Sequence, residues 1–327
     1  MFNKMTKLKA VFLVLLLVVG VFAFSSSLKA QKNEERKTIT VQTPPVAAAI
    51  PFYWIQENDM LSKFDVKLDI KVSPDHQRGL SLIQKNEIDM LVTGVNVGAK
   101  AYNRGIDLKL LNVNIWGIDY LLTNNFKADS WSDLEGKKLC LPLKGGPLDF
   151  LARYLLKEND VDPEKIEFVY RPPANGAKLF MAGKIDAIIL PEPLVTVTLA
   201  KNKKANLAFD IQNEWGKLHQ GDQRIPFVGL FASDNYIKNN PEYTELINGL
   251  YMLGIKWVNN NQKEAANLAG EFMSVPPKVI KKSFTRINLD YFTKNETRKL
   301  SEVYFEPIKQ MYPDMLGGQL PDDGFYY

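Results

Sequence analysis

Cysteine is nearly missing from this chain. Of 327 residues only Cys140 carries a thiol, and only His76 and His219 carry an imidazole. No internal disulfide can form, and two distant histidines with no cysteine partner lack the spacing of a zinc site. The sequence therefore calls for no metal and no cofactor. It also has no nucleophile–base pair and no P-loop, so no catalytic residue is assigned. Cys140 sits in the apolar run KKLCLPL, where a lone cysteine reads as a small buried hydrophobe.

Long hydrophobic runs are equally scarce. The one that stands out, Ala10 to Phe24, follows Lys4, Lys7 and Lys9 and precedes SSSLKA. A basic start, an apolar stretch and small residues make a secretory signal. The stretch is shorter than the ~20 residues of a membrane span. Cleavage is placed near Ala30, giving a signal peptide over residues 1–30; an uncleaved anchor is the alternative. No cysteine follows the apolar run, so the usual bacterial lipid attachment is missing, and a periplasmic location is expected. The net charge of +4 belongs to this leader. It holds four of the 41 basic residues and no acidic one, which leaves the remainder balanced against 37 carboxylates. A chain without a basic field has nothing to attract nucleic acid, and we exclude that partner. A soluble monomer is expected.

What is present is a repeat. LIQKNEIDMLV (Leu82 to Val92) and LFMAGKIDAIIL (Leu179 to Leu190) each run from a helix end through Ile-Asp into an apolar strand. Aligned on Ile88-Asp89 and Ile185-Asp186 they lie 97 positions apart, about one small lobe. Around them, β-branched or alternating segments such as TITVQT, VKLDIKVS, IDYLLTNN and IEFVYR read as strands. They alternate with helical segments such as HQRGLSLIQKN and PLDFLARYLLKEND. In the latter, Leu148, Leu151, Ala152, Leu155 and Leu156 form one apolar stripe. This order predicts an α/β protein of two lobes, each a mostly parallel sheet flanked by helices, with a C-terminal helical segment. Lobe 1 spans 31–117 and 226–327, lobe 2 spans 118–225, and the chain crosses near Trp116–Ile118 and Arg224–Phe227. Gln212 to Gln223 reads as a polar connection. Thr293 with Glu296 forms a capping box, and Pro307 is expected to end or kink the helix that follows. GGQLPDDGFYY reads as an extended tail, either packed back on a lobe or solvated.

Several segments together carry a family resemblance. TPPVAAAIPFYWIQE, NEIDMLVTGVNVGAKAYNRG, GKKLCLPLKGGPLDFLARYLLKENDVDPEKIEF and LFMAGKIDAIILPEPLVTVTLA arrive in an order that resembles periplasmic substrate-binding proteins of the nitrate/taurine/sulfonate (NitT/TauT) class. The resemblance covers about residues 38–311. It implies the two-lobed periplasmic-binding-protein fold, hinge closure on a small molecule, and delivery to the membrane permease of an ABC importer. Ligands of that class run from oxyanions and sulfonates to pyrimidine-like compounds. Enzymes on the same fold, of thiamine-pyrimidine synthase or chorismate-processing type, are the alternative. The former type carries a cysteine-rich motif that this chain lacks.

In open α/β sheets ligands sit beyond the carboxyl ends of strands. That rule selects loops containing Pro45 and Tyr53, Thr93 and Asn96, Trp116 and Tyr120, Lys144, Gly145 and Gly146, and Glu192. The two glycines permit close backbone approach, and the helix start after them favours an anion, as does Lys144. Asp149 opposes that reading. Glu192, between two prolines, either faces a cationic ligand or caps the next helix. Arg171 can pair a carboxylate or sulfonate, and the aromatics can stack on a flat ligand. With both Lys144 and Glu192 among the candidates, the sign of the ligand's charge does not follow.

Overall fold

A computed structural model describes residues 36–327; the signal segment and its cleavage point lie outside the described residues. The first lobe opens with β1 (Lys37–Thr43), α1 (Ile50–Glu57), β2 (Val66–Val72), α2 (His76–Gln84), β3 (Met90–Gly94), α3 (Val95–Asn103) and β4 (Lys109–Gly117). One residue later β5 (Asp119–Asn124) starts a second sheet. It is followed by β6 (Lys138–Leu141), α4 (Pro147–Glu158), β7 (Glu167–Tyr170), α5 (Pro173–Met181), β8 (Ala187–Pro191), α6 (Leu194–Lys201), β9 (Ala205–Asp210) and α7 (Ile211–Leu218). The chain then returns to the first sheet as β10 (Val228–Ala232). The closing segment contains α8 (Asp234–Asn239), α9 (Pro241–Asn260), α10 (Gln262–Met273), α11 (Pro277–Ser283), β11 (Asn288–Leu289) and α12 (Lys294–Met311).

The sheets have the orders β11-β4-β10-β3-β1-β2 and β7-β6-β8-β5-β9. The alternating series gives parallel neighbours: β1 pairs in parallel with β2 and β3, and β6 with β7 and β8. Both sheets are nevertheless mixed. β10 runs antiparallel to β3 and β4, and β5 antiparallel to β8 and β9. The reason is topological. A strand that enters straight from the other lobe, with no crossover helix, starts where its neighbours end.

The sequence repeat becomes a structural one. Asp89 and Thr40 exchange two bonds: Thr40 N donates to Asp89 Oδ2 (2.7 Å) and Asp89 N to Thr40 O (2.9 Å). Asp186 and Lys138 do the same, Lys138 N to Asp186 Oδ2 at 2.9 Å and Asp186 N to Lys138 O at 3.2 Å. Each aspartate thus pins the start of its strand to the neighbouring strand, while Ile88 and Ile185 are buried beside it. The preceding helices end alike, with Asn86 (φ +57°) and Gly183 (φ +71°) in the left-handed conformation. Asparagine and glycine are the residues that tolerate it at a helix end. Each is followed by an N–H that closes back on the helix, Glu87 on Leu82 and Lys184 on Leu179.

Four expectations need correction or refinement. The polar stretch from Gln212 is helical, as α7, preceded by a strand, β9. Asp210 caps that helix by accepting from Gln212 N and Asn213 N, while Ile211 and Trp215 are buried, an apolar stripe too short to stand out. Pro307 does not end α12, which continues to Met311. The carbonyl partner lost at Pro307 is that of Val303, a residue on the exposed side (42%), where water can replace it. The capping box is half made: Thr293 Oγ1 accepts from Glu296 N at 3.4 Å, but the Glu296 carboxylate pairs with Arg224 instead. The C-terminal tail packs back, with Phe325 and Tyr326 buried and Tyr327 N bonded to Leu110 O.

Close packing fixes the first lobe. A Cβ on Gly98 in α3 would lie 2.3 Å from the buried Phe231 ring of β10, so only glycine lets the helix approach the sheet this far. α12 joins the two lobes. Its Tyr304 is wholly buried and meets Phe150 of α4 and Trp215 of α7 edge to face. Aromatic side chains buried to this extent contribute about 1.5–3 kcal/mol each.

Candidate ligand-binding site

The carboxyl ends of the parallel strands from both lobes face one another. Gly94, at the end of β3, lies against Pro147, the first residue of α4 in the other lobe. A Cβ on Gly94 would come within 3.0 Å of the Pro147 ring. Gly94 and Gly146 are the N-caps of α3 and α4, and neither helix start has a side-chain cap. Two glycine-led helix starts, one from each lobe, therefore meet across the gap. Val95 N is taken by Phe227 O and Pro147 has no N–H, so the donors suited to an acceptor are those of the next residues in each first turn.

On the first lobe, Thr93 is buried and its Oγ1 lies 2.8 Å from His76 Nδ1. Burial holds the His76 imidazole below its ordinary pKa, which keeps it uncharged at neutral pH. Asn96, in the first turn of α3, is wholly buried, and neither its amide nitrogen nor its oxygen has a partner. An unmet buried amide costs about 1–3 kcal/mol. Pro45 is exposed at the end of the β1 loop, beside buried Pro44.

On the second lobe, Lys144 is exposed, Gly145 takes the left-handed conformation (φ +73°) and Gly146 is buried at the helix start. The turn is held from below: Gly145 N donates to Asp149 Oδ2 (2.8 Å), and the other Asp149 oxygen accepts from Arg153 Nε and the Tyr170 hydroxyl, both at 2.9 Å. Asp149 therefore holds its own loop, and its charge is met by Arg153. Glu192 is wholly buried. It accepts from Thr196 N (3.0 Å) and Thr196 Oγ1 (2.8 Å), and its Oε1 lies 3.1 Å from Arg286 Nη1. Of its two readings the geometry favours the cap, with its charge balanced by the closing segment.

The aromatic candidates are occupied in packing. Tyr53 stacks on Phe272 of α10 with ring centroids 3.3 Å apart. Trp116 is wholly buried, edge-on to Phe292, and donates from Nε1 to Asp290 O. Tyr120 is buried with its hydroxyl donating to Arg286 O at 3.1 Å. Thus the structure brings Thr93 and Asn96 to the side of Gly145 and Gly146, and gives Tyr53, Trp116 and Tyr120 structural partners. Arg171 is exposed and bonds its neighbour's carbonyl, Tyr170 O.

Two residues of this region escaped the sequence reading. His76 opens α2 beyond the end of β2, and the strand-end rule applied to that loop would have selected it. Arg286 reaches Glu192 across 94 positions, and no local pattern announces such a contact. Among the described residues no group of three or more His, Cys, Asp or Glu is placed to hold a metal ion.

This arrangement of two mixed α/β sheets, joined by crossovers and facing at their strand ends, is the fold of the periplasmic binding proteins. Residues 47–265 match the family described as NMT1/THI5 like, and the chain belongs to that family. Solved structures with the same fold include an ABC transporter from Parabacteroides distasonis, with 22% identity, a TM-score of 0.72, and coverage of 89% of this chain and 99% of that one. The alkanesulfonate-binding protein SsuA from Xanthomonas axonopodis pv. citri, bound to MOPS, is 15% identical with a TM-score of 0.72, covering 89% and 98%. The periplasmic nitrate-binding protein NrtA from Synechocystis PCC 6803 is 13% identical with a TM-score of 0.67, covering 86% and 84%. No curated protein matches the chain in sequence.

Proposed function

We propose that this protein captures a small molecule between its two lobes outside the cytoplasm and delivers it to the permease of an ABC importer. The observation that carries the reading is the meeting of the α3 and α4 starts across the lobes, beside the unpartnered amide of Asn96. Lobes that touch at Gly94 and Pro147 beside an unmet buried amide suit a binder that closes on a ligand. Family membership and the alkanesulfonate- and nitrate-binding roles of two structural neighbours support it. We take the lobes to divide at 31–117 with 226–327, and 118–225. Pro45, Thr93, Asn96, Lys144, Gly145 and Gly146 are the residues we assign to the ligand, with His76 added behind Thr93. Among the described residues no helix is long and apolar enough to cross a membrane.

Catalysis has little to work with here. The one thiol, Cys140, is buried, and burial pushes it up to about 11, far from a reactive thiolate. The test is to purify the exported protein, denature it and identify released small molecules by mass spectrometry. We expect a compound released in near-stoichiometric amount that binds again to the refolded protein. Release of a chemically altered product after incubation with that compound would replace the reading with an enzymatic one.

A further inference from the structure

The first crossover between the lobes is built unlike a strand. β4 ends at Gly117 and β5 begins at Asp119, and beside one backbone bond, from Glu192 N to Ile118 O (3.0 Å), the peptide groups around Ile118 are held by a side chain. Gln212 Oε1 accepts from Ile118 N (3.2 Å) and Asp119 N (3.1 Å), while its Nε2 donates to Asp119 O (3.2 Å) and Asp210 Oδ1 (2.8 Å). Gln212 is buried and sits in the first turn of α7, whose cap is the same Asp210. Its stem lies over Gly117, where a Cβ would meet Gln212 Cγ at 2.2 Å, so the clasp requires glycine at that position. The second crossover differs. Ile225 N donates to Trp116 O (2.9 Å) and Phe227 N to Ile115 O (3.0 Å), ordinary backbone bonds onto the end of β4.

The geometry points to Gln212 as a clasp on the hinge, which holds the bend at Gly117–Ile118–Asp119 and sets the balance between parted and closed lobes. A backbone ladder fixes one angle between the segments it joins. A side-chain amide with three soft torsions can keep or exchange its bonds as the angle changes, so its loss frees the bend while both sheets stay intact. The choice of glutamine fits the task. With the Ile118 carbonyl already accepting from Glu192 N, the single carboxamide meets the two N–H donors and the Asp119 carbonyl while its remaining N–H is taken by Asp210.

The test needs no ligand. Spin labels are placed on Lys85→Cys and Lys184→Cys, exposed residues in matching turns of the two lobes; buried Cys140 stays unlabelled. Interlobe distances are measured by double electron–electron resonance in the parent, in Gln212→Met, which keeps the stem without the amide, and in Gly117→Ala, which displaces it. We expect one narrow distance in the ligand-free parent, that of its parted lobes, and a broader distribution reaching beyond it in both variants, with circular dichroism unchanged. Folded variants with the parent distribution would overturn the inference. So would loss of fold in both, because the clasp would then be a requirement of folding and not a hinge adjuster. Neither result bears on whether the parent binds a small molecule.

Discussion

Asp119 is the residue whose environment is least expected from its neighbours in sequence. It is 2% exposed at the start of β5, and burial pushes its carboxyl up to about 8, against an ordinary value of about 3.9. The folded protein therefore keeps this proton between about pH 4 and 8 while the unfolded chain releases it. Its contribution to stability is full below about pH 4, falls as pH rises, and levels off above about 8. We expect Asp119→Asn to remove that slope and to raise stability at pH 8 by about 1–3 kcal/mol, read from urea unfolding at several pH values. An unchanged slope would show that the carboxyl is met by a partner after all. Glu192 and Arg286 give a second test at this scale. Glu192 is wholly buried and Arg286 partly exposed, so the two ends of the pair are unequal. Arg286→Met strands a buried carboxylate and should cost about 3–5 kcal/mol. Glu192→Gln keeps the cap on Thr196 and leaves the arginine a route to water, so it should cost less, about 1–2 kcal/mol. The reverse order in matched unfolding curves would contradict this account of the pair.

Among the elements, α3 is set by what it lacks. Gly98 lets it lie directly on the Phe231 ring, and this places the start of α3, with Gly94 and Asn96, at the contact between lobes. Gly98→Ala gains helix propensity of up to about 1 kcal/mol but must displace a fully buried ring at a cost of about 1–3 kcal/mol. We expect a net loss of stability and a lowered melting temperature. A melting temperature equal to or above the parent's would mean that the ring has room to move. The repeat shows the same economy of local means. One Ile-Asp pair after a left-handed helix end starts a buried strand twice, with identical hydrogen bonds, in sheets that share no strand.

As a whole, the molecule is two sheets tied by two crossovers and by α12, whose Tyr304 packs into the second lobe. Closure on a ligand therefore has to be a rotation about these ties and not a free separation of the lobes. The radius of gyration from small-angle scattering should be largest for protein stripped of ligand and decrease when the released compound is added back. A constant radius, with binding shown independently by calorimetry, would place binding in a preformed site without hinge motion.

The two-lobed order, nearly every strand and long helix, and the buried character of Cys140 were legible in the sequence, because each rests on short-range periodicity and composition. Ile88-Asp89 and Ile185-Asp186 were legible as a repeat, since the bonds they make begin new strands and recur with the motif. β9 and α7 were missed because their apolar stripes are brief and their boundary is set by Asp210 acting as a cap. The mixed direction of the sheets, the docking of the C-terminal tail and the partners of the candidate residues were decided by tertiary structure. Tyr53, Trp116 and Tyr120 look the same in sequence whether they face a ligand or a core. Only the positions of Phe272, Phe292 and Arg286, all more than 150 residues away, give them the partners they have in the structure. Glycine, capping and alternation act within a few residues and can be read along the chain, whereas side-chain partners are chosen by the meeting of distant surfaces.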